Sequence, residues 1–153
     1  QDSSVIILSR EAIFLINTSL VWLVGVVAIW RSPKHLFPLL AMNGIVLVNA
    51  ISHIFPGIFK QSYNPGLLTA IVIFLPMAIA FYRKVLFTNP GAKLQVMASI
   101  FWAILAHAIL VSGLLSANWF ELIPELVYFA LLVIWSVIPA FLFNNYSPNG
   151  DTL

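Results

Sequence analysis

Two histidines, His53 and His107, and two glutamates, Glu121 and Glu125, are the residues of this 153-residue chain whose types could do chemistry deep in the fold. Imidazole and carboxylate groups bind Zn or Fe, and both relay protons. Their spacing is scattered, so a metal site built from His53, His107 and Glu125 would depend on the fold to assemble it. The chain contains no His-x-x-His pair, no paired Glu-x-x-His helices, no phosphate-cradling glycine loop and no nucleophile elbow. It has no cysteine, which excludes disulfides, thiolate nucleophiles and thiolate metal sites. The third histidine, His35, follows Lys34 and reads as a solvated group at a membrane surface.

The elements that must position these residues follow from composition. Hydrophobic residues make up 61% of the chain and charged residues 8%, against roughly 25% charged in a soluble domain. A core of this size cannot bury that excess, so the solvent for most side chains is lipid. The seven Lys and Arg are spread over loops and form no basic patch, which excludes a nucleic-acid partner and leaves the bilayer. Crossing it takes about 20 apolar residues per helix. Five stretches qualify, near residues 12–30, 36–55, 67–86, 94–115 and 123–143. Ser32-Pro33, Pro56-Gly57, Asn64-Pro65-Gly66 and Asn89-Pro90-Gly91 break the chain between spans. Both Asn-Pro-Gly runs suit turns with Pro second and Gly third at positive φ. Nothing divides the chain further, so residues 1–153 read as one all-α membrane bundle. Pro76 and Pro139 predict kinks in the third and fifth helices.

Arg31, Lys34, Arg83, Lys84 and Lys93 fall on one side of this arrangement, with Arg10 and Lys60 on the other. The positive-inside rule places the first set in the cytoplasm of a bacterial cell, with the N-terminus outside and the C-terminus inside. Asn49, Ser52, His53, Thr69, Glu121 and Glu125 then gather on the outer half, with His107 roughly 12 Å deep. Asn49 and His53 are four apart and share a helix face. An intramembrane histidine is a functional candidate, whereas Asn17, Thr18, Ser19 and Asn43 suit hydrogen bonds between helices. Trp22, Trp30, Tyr63, Tyr82, Trp102, Trp119 and Tyr128 read in part as interfacial anchors.

The sharpest pattern joins Asn49 and His53 to Tyr63-Asn64-Pro65-Gly66-Leu67 and Thr69. It resembles the HXXEE family of small multi-pass membrane proteins, in which a helix ending in Asn and His precedes a Tyr-x-Pro-Gly turn and a Thr near the next helix start. In helix order the resemblance runs over about residues 11–115. It implies an all-helical membrane bundle of uncharacterised function. The naming His-x-x-Glu-Glu motif belongs on a helix ahead of the one near Ala12 and is not among these residues. Together with the outer N-terminus and the missing Met, this leads to the expectation of a hydrophobic segment upstream of Gln1.

Three functions fit. The favoured one is a non-catalytic accessory subunit packed against partner membrane proteins, because the catalytic groups are too few for an enzyme working alone. The second is a membrane-embedded, metal-dependent enzyme acting on a lipid or isoprenoid. The third is a subunit that holds a pigment or haem in an electron-transfer or photosynthetic assembly. The sequence singles out no cofactor. His53 is expected either to orient the Asn64-Pro65-Gly66 loop or to join an outer polar pocket with Tyr63, Thr69, His107, Glu121 and Glu125.

Overall fold

The computed structural model describes Phe14 and residues 22–32, 35–61, 63–118 and 124–142. These residues build five helices: α1 (Val24–Arg31), α2 (Phe37–Phe59), α3 (Leu67–Thr88), α4 (Lys93–Asn118) and α5 (Glu125–Leu142). No strand occurs among them. Three apolar stretches, Phe37–Phe59, Leu67–Thr88 and Pro90–Ser116, are long and apolar enough to cross a membrane. The apolar run of α5, Val127–Pro139, is shorter. Arg10, Asn17, Thr18, Ser19, Lys34, Trp119 and Glu121 lie outside the described residues, as does the side chain of Glu125.

Helix α2 runs further than its breakers suggest. The expected end at Pro56-Gly57 is corrected to Phe59, and the Lys60 N–H closes the last turn on Pro56 O at 2.9 Å. A proline this close to a helix end forfeits one backbone bond without disrupting several turns. Gly57 is there for contact and not to break the helix, since a Cβ at this position would sit 2.9 Å from Leu67 Cδ2. In α3 a π turn spans Ala70–Phe74, and α-helical geometry resumes at Leu75, one residue before Pro76. The wider turn makes room for a proline ring that cannot sit under a regular preceding turn. Pro139 lies within α5.

Helix α2 is the hub and packs against α1, α3, α4 and α5, most extensively against α4. Its buried positions include small residues, Ala41, Gly44 and Ala50, and so do those of its neighbours, with Ala70 and Ala78 on α3 and Ser99, Ala103 and Ala106 on α4. At the closest approach a Cβ on Gly44 would lie 2.7 Å from Ser99 O and 3.1 Å from Ala103 Cβ. The large side chains point outward instead, as with Ile71, Val72, Ile73, Phe101 and Ile104. Lipid tails are as apolar as leucine, so helices in a bilayer gain little by burying leucine against leucine. Close backbone approach over small residues holds them together.

Polar bonds add to that packing. Asn43 Nδ2 on α2 donates to Ala78 O on α3 at 3.1 Å. The Tyr82 hydroxyl on α3 donates to Leu40 O on α2 (3.1 Å) and lies 2.9 Å from Ser99 Oγ on α4, which in turn donates to Val96 O at 2.7 Å. Tyr82 is 7% exposed, which corrects its reading as an interfacial anchor. Tyr128 is likewise buried, and its hydroxyl donates to Leu110 O at 2.7 Å. The network also corrects the expected one-sided polarity, because it sits near the α3–α4 connection, at the opposite end of α3 from the Asn64-Pro65-Gly66 turn. Contacts among Leu40, Val85, Ala92 and Val96 bring the start of α2 to that same end. Arg31, Arg83, Lys84 and Lys93 therefore share one end of the bundle, opposite Lys60.

Candidate functional site

The α2–α3 connection is held by a reciprocal clasp. His53 lies in the penultimate turns of α2, and its ring reaches across the loop so that Nδ1 is 3.1 Å from Asn64 Oδ1. Asn64 Nδ2 donates back to His53 O at 2.9 Å. The next two residues form the turn: Leu67 N donates to Asn64 O at 3.1 Å, and Gly66 takes φ 95° and ψ −15°. These angles are those of the third position of a type II turn, open to glycine because it lacks a Cβ. Gly66 is needed for a second reason. A Cβ there would stand 3.0 Å from Cε1 and 3.1 Å from Nδ1 of the His53 ring. The turn, the amide and the imidazole thus fit one another.

The structure brings together only part of the expected polar group. His53 and Asn64 are half-buried partners. Asn49 is half-buried on the preceding turn of α2, where its carbonyl accepts from Ser52 Oγ at 2.7 Å. Tyr63 is 72% exposed and Thr69 is exposed at the start of α3. His107 is half-buried on α4, with Nδ1 3.0 Å from Ala103 O of its own helix. Glu125 is the first residue of α5, whose first turn closes with the Tyr128 N–H on Pro124 O at 3.1 Å. Among the described residues no three His, Asp or Glu side chains stand close enough to hold a metal ion.

A second locality escaped the sequence reading. Trp102 on α4 and Trp135 on α5 stack with ring centroids 4.6 Å apart and planes within 11°. Trp102 was read as an interfacial anchor, and Trp135 was not singled out. Their indole Nε1 atoms are buried and have no hydrogen-bond partner among the described residues. Beside them a groove of about 360 Å³ opens between α4 and α5, lined in part by Ser112, Gly113, Ser116, Tyr128 and Trp135. The Ser112 and Ser116 hydroxyls are spent on carbonyls of their own helix, Ile109 O and Ser112 O. A tryptophan within an apolar run gives no sign of which neighbour it will stack on.

No curated protein and no solved structure matches the chain. The model of one family, described as a protein of unknown function with HXXEE motif, matches residues 3–81, which include the whole His53–Asn64 clasp and the Gly66 turn. That match spans more than half of the 153 residues, and the chain belongs to the HXXEE family.

Proposed function

We propose that this protein is a non-catalytic helper subunit that spans the bacterial cytoplasmic membrane as one five-helix bundle and packs against partner membrane proteins. The observation that carries this reading is where the polar side chains spend their hydrogen bonds. Asn43, Tyr82 and Tyr128 donate to main-chain carbonyls of neighbouring helices inside the bundle, and Ser52, Ser99, Ser112 and Ser116 donate to carbonyls of their own helices. Such bonds rigidify a scaffold, while the outward Ile71, Val72, Phe101 and Ile104 present an apolar surface for lipid and for neighbouring helices. The shared end of Arg31, Arg83, Lys84 and Lys93 supports a cytoplasmic placement of that end, with the His53–Asn64 clasp and the N-terminus outside and the C-terminus inside.

Photo-crosslinking from Phe101 and Ile104 in native membranes tests the role. The expected product is one stoichiometric adduct with another membrane protein. Recovery of the chain alone, carrying a transition metal with lipid turnover or showing chlorin, haem or carotenoid absorption, would replace the helper reading with the enzyme or the pigment-binding one. Single-cysteine labelling tests the topology. An impermeant reagent added to intact cells should mark Tyr63→Cys and spare Arg83→Cys, and the reverse pattern overturns the orientation.

A further inference from the structure

A regular α-helix turns by about 100° per residue, so residues eight apart stand about 80° from one another around its axis. Ala70 and Ala78 of α3 are eight apart, yet both are fully buried. The π turn that starts at Ala70 packs against α2, and Ala78 O accepts the Asn43 bond from that same helix. A π turn takes up one residue more than an α turn. Ala70 and Ala78 are therefore spaced as if seven residues apart, which brings them within about 20° of one another. In an uninterrupted helix Ile71 would hold that place and turn toward α2. Ile71 is instead exposed, as are Val72, Ile73, Pro76 and Met77. The extra residue thus sets the rotation of the outer end of α3. The clasp depends on that rotation, because the Asn64 turn is bonded to the first residue of α3 through Leu67 N.

We propose that this π turn is a rotary hinge that couples the lipid-facing middle of α3 to the His53–Asn64 clasp. In the locked register the extra residue is held in the π turn, with Ala70 against α2 and the clasp closed. When the turn relaxes to α geometry, the outer end of α3 rotates by about 100° relative to Ala78. Asn64 then leaves His53, and Ile71 takes the place of Ala70 against α2. The anchoring of α3 suits it to this motion. Its inner part is fixed, because Asn43 holds Ala78 O and the Tyr82 hydroxyl holds Leu40 O. Its outer end is held by the clasp and by Leu67 against Gly57. Between these anchors Ile71, Val72 and Ile73 are exposed and free to turn. Pro76 biases the balance toward the locked register, since its ring cannot sit under a regular preceding turn. The hinge stands independently of the helper-subunit reading.

The test is nitrogen-15 relaxation dispersion of the His53 imidazole in the full chain, reconstituted into phosphatidylcholine nanodiscs, on the microsecond-to-millisecond scale of helix register shifts. The wild type is expected to exchange between a clasped and an open His53 signal. Deletion of Val72 combined with Pro76→Ala removes both the extra residue and the ring that excludes an α turn, and it keeps Ala70 and Ala78 aligned. That variant should show one clasped signal and no exchange. An unexchanging wild type overturns the proposal. Exchange of equal size in the folded deletion variant overturns it too, because the clasp would then open by loop motion alone. Pro76→Ala by itself keeps the extra residue but removes the bias toward the wider turn, so the open signal should grow. If the deletion variant does not fold, an open signal in Pro76→Ala no larger than in the wild type defeats the hinge.

Discussion

The tripeptide Asn-Pro-Gly occurs twice, and the chain turns differently at each. At Asn64-Pro65-Gly66 the turn closes with Leu67 N on Asn64 O, and Gly66 adopts φ 95°. At Asn89-Pro90-Gly91 the equivalent bond runs from Ala92 N to Asn89 O at 3.0 Å, yet Pro90–Ala92 is a 3-10 turn and Gly91 has no positive φ. The expected positive φ is therefore corrected at the second site. The connections explain the divergence. Asn89 alone separates Thr88 from the 3-10 turn, which feeds directly into α4, so right-handed geometry continues through Gly91. Between Phe59 and Leu67 the chain must reverse over a longer loop, and the His53 ring lies against Gly66 while binding Asn64. Local sequence sets where the chain turns, and a side chain from the preceding helix selects the type.

Valine at each glycine should separate the two turns most sharply. Gly66→Val meets left-handed strain and the His53 ring together, and is expected to cost about 3 kcal/mol or more. Gly91→Val is exposed, with only Asn89 Oδ1 3.4 Å from the new Cβ, and should stay within about 1 kcal/mol. Unfolding free energies in mixed micelles measure both, and equal losses would erase the distinction. The asparagines come next. Asn64→Ala strands His53 Nδ1 and is expected to lose about 1 to 3 kcal/mol, whereas Asn89→Ala should change stability by about 0.5 kcal/mol or less.

A double-mutant cycle over His53→Ala and Asn64→Ala sharpens the point, with an expected coupling of about 0.5 to 2 kcal/mol. Additive losses would mean that the two residues act separately. The smallest effect has the opposite sign. Gln61, two residues beyond the end of α2, takes φ 47°, a left-handed position occupied by a residue with a Cβ. Gln61→Gly should stabilise by up to about 1 kcal/mol, and a loss of stability would show that its side chain contributes elsewhere in the loop.

The two kinds of signal in this chain were unequally readable. The positions of α2, α3 and α4 follow from long apolar runs, which any bilayer-length count detects. The approach of His53 to the loop was also legible, because a helix end, a tight turn and a helix start lie within a short stretch. The Tyr82–Ser99 network was not. Tyrosine sits equally well at a membrane surface or inside with its hydroxyl bonded, and only the packing of three helices decides between them. Gly57 carried the same ambiguity. Beside Pro56 it looks like a stop signal, while its use, contact with Leu67, involves a residue on the next helix. Of the expected polar group, the exposure of Tyr63 and Thr69 could not be read, since helix rotation about its axis is set by neighbours that hydropathy does not identify.

The bond from Asn43 to Ala78 O also has a consequence in time. Its acceptor is encoded thirty-five residues after its donor. At about 5 to 20 residues per second, a nascent chain takes roughly 2 to 7 s to supply it. Through that interval α2 exists with its amide exposed, able to bind the insertion machinery or a chaperone but not yet its own partner helix. Slowing translation between residues 60 and 78 would lengthen the interval and increase capture by membrane proteases. The amide of the second helix thus waits for a partner that translation has yet to supply.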